Sequence, residues 1–266
     1  MIDSRAVISP QAQIAANVEI GPFTVIGADV VIGAGTWIGP HAVINGPTRI
    51  GADNKIFQFA SLGDAPQDKK YKGEPTRLEI GDRNVFRESV TVNRGTTHDQ
   101  GVTRIGNDNL LMAYSHVAHD CQLGNQIVMA NCATLGGHVE VGDWVIMGGL
   151  SAVHQFTRIG QQAMIGGVCG VRGDVIPYGL VNGQYARLEG LNIVGMKRRK
   201  FTRERLAAVR SFYQKLFESA GVFSERLDAA RALAVTDPAV AEILTFIDAG
   251  QHRPLCLPSS RTGENG

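Results

Sequence analysis

Residues 8–50 read ISPQAQ IAANVE IGPFTV IGADVV IGAGTW IGPHAV INGPTR I, and the spacing of their isoleucines decides the fold. An aliphatic residue returns every six positions at Ile8, Ile14, Ile20, Ile26, Ile32, Ile38, Ile44, Ile50, Ile56 and Leu62. The frame pauses over 68–79, resumes at Ile80, Phe86 and Val92, pauses again over 98–104, and then runs from Ile105 to Val171. All 25 hexads begin with an apolar residue, and none has a charged or aromatic residue at its fifth position, from Ala12 and Val18 through to Cys169 and Val175. An amphipathic helix would need spacings of three and four, so a period of six fits no helical face. A large aliphatic at position one and a small side chain at position five suit a narrow prism whose three faces are short parallel strands. Three hexads then make one coil, and coils stack at the strand spacing of roughly 4.8 Å.

The IGPFTV and IGADVV type of hexad resembles the left-handed parallel β-helix of hexapeptide-repeat proteins. The handedness is implied by that resemblance alone, and it runs against the usual right-handed crossover. The expected fold is therefore an all-β solenoid, a left-handed parallel β-helix, over residues 1–190, with 68–79 and 98–104 looping out at its corners. A C-terminal α-helical domain is expected over 191–266. There Thr202 can cap a helix through RERLAAVRSFYQKLFESA to Gly221, Ser224 a second through ERLDAARALA, and Asp237 with Pro238 a third ending at Gly250. These helices should cover the open end of the solenoid, whose strand edges would otherwise stay unpaired. The closing CLPSSRTGENG reads as a frayed tail.

Composition removes several classes of function. Glycine supplies 32 of 266 residues, but not at every third position, and the dense Ile, Val and Leu exclude both collagen and disorder. A net charge of +1 argues against nucleic-acid binding, which needs a surplus of Lys and Arg. There is no apolar run long enough to span a bilayer, and MIDSRAVISP lacks a signal-peptide layout, so a cytoplasmic protein without membrane insertion is expected. Cys121, Cys132, Cys169 and Cys256 form no CxxC pair and read as reduced, structural thiols.

The frame also places the histidines. His119, His138 and His154 fall on three consecutive coils within one residue of a common column, Gly137 and Gln155 share the column of His119, and His116 lies three residues before it. Clustered imidazoles can bind zinc. Carbonic anhydrases of this fold, however, space their same-coil pair five apart, and His116 and His119 are three apart, so neither metal nor cofactor is expected. General-base catalysis is the other option, and it needs one histidine with a free ring nitrogen near neutral pKa. The segment SHVAHDC at 115–121 offers His119 followed by Asp120. A carboxylate next in sequence can orient the ring only where the chain turns, because strand neighbours point to opposite faces.

The segments YKGEPTRLEIGDRNVFRESVTVNRGT at 71–96, LLMAYSHVAHDCQLGN at 110–125, AVHQF at 152–156 and KRRKF at 197–201 resemble the UDP-N-acetylglucosamine 3-O-acyltransferase family that begins lipid A synthesis. The resemblance covers nearly the whole chain. It implies that His119 is the general base that deprotonates the sugar 3-hydroxyl for attack on the thioester of a 3-hydroxyacyl carrier protein, with Asp120 orienting the imidazole and the Gly137 N–H receiving the oxyanion. It maps sugar and nucleotide contacts onto Asp68, Lys70, His116, His138, His154, Gln155, Asn192, Arg198 and Arg199. Arginines suit a diphosphate, although KRRK by itself would equally be a solvated helix face. An acyl-chain groove is implied along Gly149 and Gly167, with Tyr185 where the family more often has histidine, and the missing side chain at Gly167 leaves room for a long 3-hydroxyacyl chain. The family also implies a homotrimer with sites between subunits, and carrier-protein contacts at Lys69, Lys72 or Lys200. A 3-amino analogue of the sugar offers a nucleophile at the same carbon and stays open as acceptor. The later N-acyltransferase of the pathway carries an additional N-terminal domain for which hexads starting at residue 8 leave no room. A non-catalytic solenoid scaffold would have no need of the histidine column.

Overall fold

Most hexads become a two- or three-residue strand made from the hexad's first residue and the residue or two before it, as in Val7–Ile8, Gln13–Ile14, Glu19–Ile20 and Val25–Ile26. The first-position side chain points inward: Ile26, Ile38, Ile56, Phe86 and Leu111 are all fully buried. In the computed structural model, which describes residues 1–232, 237–250 and 253–259, the strands stack into three sheets of nine, eight and ten. Strands of successive coils pair in parallel with equivalent residues opposed, Ile8 on Ile26 and Ile26 on Ile44, so the first positions form columns through the interior. Pairing carries across both interruptions, as Leu62 on Val92 and Ile80 on Ile105.

The corners explain how a continuous chain turns at so short an interval. Non-glycine residues with positive φ, from Asn17 and Phe23 to Gln162 and Val168, sit at the fourth position of a hexad, and only Tyr178 and Lys200 lie outside the frame. Left-handed backbone is costly for an L-residue and is rarely repeated. Here the stacking of coils above and below holds it in place, and it reverses the chain before the next strand.

The insertions begin and end three or four residues earlier than expected. Residues 77–79 and 102–104 return to the eight-stranded sheet, with Arg77 opposite Val102 and Leu78 opposite Thr103. Leu78, Val102 and Thr103 are buried, so the sheet gains interior contacts by lengthening its strands. What leaves the prism is the chain over 65–76 and 94–101.

Beyond the solenoid a hairpin pairs Gly179–Asn182 with Arg187–Leu191, and the chain then turns helical. Helix α1, Ile193–Arg198, is capped by Asn192, whose side-chain oxygen accepts from the Gly195 N–H at 2.9 Å. Thr202 caps α2, Arg203–Tyr213, which runs on as a π-helical segment over Gln214–Glu218. Helix α3, Phe223–Ala232, starts one residue ahead of the expected Ser224 cap, and the end of that expected helix at 233–234 lies outside the described residues. Asp237 caps α4, Pro238–Ala249, and Gly250 ends it. These helices are clasped to the last coils by Arg158, which bonds Asp174 and the Phe246 carbonyl, and by Tyr178, which donates to Glu242.

The frayed tail is corrected in part. Leu255 forms a parallel bridge with Asp174, Cys256 donates to the Asp174 carbonyl at 2.9 Å, and Leu257 accepts from Leu188 at 3.1 Å. The tail thus pairs with an edge left free where the hexads stop. Residues 260–266 lie outside the described residues. Cys121, Cys169 and Cys256 are buried free thiols and Cys132 is half-buried, and burial pushes the Cys121 thiol up to about 12. No helix among the described residues is long and apolar enough to cross a membrane.

Candidate active site

Asp120 occupies the fourth position of its hexad with φ of 60°, and this corner resolves the geometric objection to a His–Asp pair at adjacent residues. With the chain turning there, both side chains reach the same side, and His119 Nδ1 lies 2.9 Å from Asp120 Oδ2. The carboxylate is fixed from behind. It accepts from the Thr96 N–H at 2.9 and 3.0 Å and from the Thr96 hydroxyl at 2.7 Å, while its own backbone N–H donates to Thr103 Oγ1 at 2.8 Å. Burial pushes the Asp120 carboxyl up, but the hydrogen bonds from His119 and Thr96 outweigh it and leave the group below the usual carboxylate range. An ionised carboxylate can only accept, so the His119 nitrogen facing it carries the proton and Nε2 is the bare nitrogen.

Gly137, one coil on, lies directly beneath that imidazole. A Cβ there would stand 2.6 Å from Cε1 and 2.8 Å from Nε2 of His119, so only glycine lets the ring sit down on the backbone. Its N–H donates to no group of the described chain. His138, at the next coil's corner stacked on that of Asp120, meets His119 edge to face at 5.0 Å and stacks on Phe156 at 4.3 Å with 6° between the planes. Donor atoms of His119, Asp120 and His138 all fall within 4.8 Å of one another, yet Asp120 already spends its oxygens on Thr96 and His119.

His119, Asp120, Thr96, His138 and Phe156 line a cavity of about 850 Å³, together with Asp68, Lys70, Gln155, Asp99, Lys69 and Arg253. Asp68 and Lys70 come from the first insertion, where the Asp68 carboxylate accepts from the Lys70 N–H at 2.9 Å. Two of the expected contacts flank the cavity. His116 bonds Thr91 Oγ1 at 2.7 Å, and burial together with neighbouring His119 holds its pKa below that of a free imidazole. His154 is exposed, with Nδ1 on the Gln155 carbonyl.

Asn192, Arg198 and Arg199 do not join them within one chain. They line a separate groove of about 1090 Å³ against the ten-stranded sheet, beside Trp144, Ile146, Met164 and Leu180. The Arg199 guanidinium stacks 4.4 Å over the Trp144 ring, and its Nε has no partner. Burial, then the charge of Arg198, lowers its pKa. Gly149 and Gly167 likewise line neither cavity; they stack at a different corner, beside exposed Leu150 and Val168, and Tyr185 is exposed with Arg172 over its ring. Thr96, Asp99, Phe156 and Arg253 were not singled out from sequence. Only Phe156 carried a signal, as the fourth-position residue of the histidine column.

Comparison with known proteins follows the same geometry. Residues 174–256 match the second-domain model of Udp N-acetylglucosamine O-acyltransferase. A curated relative from Janthinobacterium sp. (strain Marseille), an acyl-[acyl-carrier-protein]–UDP-N-acetylglucosamine O-acyltransferase, is 52% identical over 244 residues, 92% of this chain and 93% of its own length. A UDP-N-acetylglucosamine acyltransferase structure from Francisella novicida superposes with a TM-score of 0.93 at 37% identity, covering 98% of this chain and 95% of that one. Another from Moraxella catarrhalis gives 0.92 at 40% identity, covering 96% and 99%. The likeness runs through the solenoid and the helices alike, and the fold is the left-handed parallel β-helix with a C-terminal helical part.

Proposed function

The chain belongs to the UDP-N-acetylglucosamine O-acyltransferase family, and from that premise we propose that it moves a long 3-hydroxyacyl chain from acyl carrier protein to the 3-hydroxyl of UDP-N-acetylglucosamine, the first step of lipid A biosynthesis, in the cytoplasm. It is an O-acyltransferase, and the observation that carries the mechanism is the 2.9 Å contact from His119 Nδ1 to an Asp120 carboxylate fixed by Thr96. His119 Nε2 takes the proton as the sugar oxygen attacks the thioester carbon. The C=O electrons move to an oxyanion that the Gly137 N–H receives. As the intermediate collapses, the C–S bond breaks and the imidazolium returns its proton to the leaving thiolate, while Asp120 stabilises the transient positive ring. No cofactor takes part in these steps.

In this reading Asp68, Lys70, His138 and Gln155 hold the sugar in the cavity of His119, with His116 and His154 at its margin. Asn192, Arg198 and Arg199 hold the diphosphate end. The two sets lie in different cavities of one chain, so a nucleotide sugar that touches both needs two chains side by side, which supports a homotrimer with sites between subunits. The acyl chain would then run along Gly149, Gly167 and Tyr185, closed over by a neighbour. Lys69 lines one cavity and Lys200 the other, and in this reading they would meet an acidic carrier protein, with Lys72 on the same insertion as Lys69.

Mass spectrometry of the purified protein with UDP-N-acetylglucosamine, its 3-amino analogue and a mixture of 3-hydroxyacyl carrier proteins tests this reading. One O-acylated product is expected, reduced about 10²–10⁴-fold in rate by His119→Ala. Acylation of the amine alone would reassign the acceptor, and full activity in the variant would remove His119 as base.

A further inference from the structure

His138 is held by three neighbours. Its plane lies on Phe156, its neighbour at 5.0 Å is the His119 ring, and its Nδ1 is 2.8 Å from Asp99 Oδ2. Asp99 stands 39 residues earlier in sequence and belongs to the second insertion, the stretch that breaks the six-residue frame. The other carboxylate within reach, Asp120, is 3.9 Å away and already bonded to His119 and Thr96. Phe156 is itself pinned, because Arg253 from the C-terminal tail donates to its carbonyl at 2.9 Å.

We propose that Asp99 is a positioning residue: it fixes the ring orientation and tautomer of His138, so that Nε2 faces the cavity as a hydrogen-bond acceptor for an N–H or O–H of the acceptor sugar. A carboxylate accepts and does not donate, so the ring nitrogen it faces is the protonated one, and the opposite nitrogen of a neutral ring is left bare. The cavity thus contains two His–Asp pairs with separate tasks. Asp120 prepares His119 to take a proton, and Asp99 prepares His138 to hold the sugar that supplies it. The inference rests on the reading of a UDP-sugar as acceptor.

Full-length wild type, Asp99→Ala and Asp99→Asn, selectively labelled with ¹⁵N-histidine, are compared by long-range ¹H–¹⁵N correlation and by steady-state acylation of UDP-N-acetylglucosamine. His138 should be protonated at Nδ1 in the wild type and lose that preference in Asp99→Ala. The alanine variant should raise the KM for the sugar about tenfold, the scale of one ordinary hydrogen bond, with kcat within about threefold. Asn retains a carbonyl acceptor and should restore most of the KM. An unchanged KM in Asp99→Ala, a fall in kcat without a rise in KM, or a His138 that keeps its Nδ1 proton in that variant would each overturn the proposal. If the wild type acylated no UDP-N-acetylglucosamine, the acceptor reading would fail on its own, and the tautomer measurement would still decide whether Asp99 sets His138.

Discussion

Asp120 ties three parts of the molecule together, because one carboxylate joins a corner of the solenoid, the second insertion through Thr96, and the His119 imidazole. Its folded pKa lies below the ordinary carboxylate value. The stabilisation it gives is therefore complete above that value, about 3.9, and drains away as pH falls through the depressed folded value. Asp120→Asn should lose about 1.5–3 kcal/mol at pH 7, the range for hydrogen bonds to a charged group. Urea unfolding from pH 7 down to 3 should show the gap from wild type closing below about pH 4. A gap of constant size would mean that the charge contributes nothing. At this scale the sequence disclosed His119 and its neighbour and the condition for them to meet, a turn at hexad positions three and four. The left-handed φ of Asp120 supplies that turn. Asp99 and Arg253 were illegible, because each arrives from a segment outside the hexad frame, where no periodicity assigns a position in space.

Among the elements, the hexad gave strand positions and register directly, since a column of identical first positions tolerates no slip. The insertion limits did not follow, because Leu78 and Thr103 extend their strands without belonging to any hexad. Nor did the polar ladder inside one corner. Asn54, Asn84 and Asn109 occupy fifth positions on successive coils and are all buried. Asn54 Oδ1 accepts from the Asn84 backbone N–H at 2.9 Å and from its side-chain amide at 3.1 Å. Asn84 Oδ1 in turn accepts from Asn109 at 2.9 Å twice, and each amide also donates to a glycine carbonyl, Gly81, Gly106 or Gly124. Every polar group is satisfied, so the ladder joins adjacent coils without a buried penalty. Asn84→Ala leaves Asn54 Oδ1 only the backbone N–H of residue 84 and strips the Asn109 backbone N–H of its acceptor, at roughly 1–3 kcal/mol for that orphaned group. The urea midpoint should fall accordingly with an unchanged m-value. A midpoint within error of wild type would mean that water fills the gap at no cost.

In the whole molecule the sequence placed solenoid and helices in order, and it missed how the tail returns. Leu255–Leu257 pair with the last coil through contacts some 70–80 residues apart, which no local pattern signals. The larger consequence is the separation of His119 from Arg199 into two cavities. If a working site takes its base from one chain and its arginines from the next, two inactive variants can repair each other. His119→Ala and Arg199→Ala, each made alone, should give little product. Co-expressed in equal amounts with different affinity tags and purified through both, they form mixed assemblies. In some sites a chain with intact His119 adjoins a chain with intact Arg199. In a mixed trimer selected through both tags, one interface of the three meets both conditions, so roughly one third of wild-type activity should return. If both residues served a site within one chain, every such site would carry one defect or the other, and mixing would restore nothing. Mixing after separate purification, without a subunit-exchange step, is the matching control and should also stay inactive, because exchange and not mere presence creates the repaired interface.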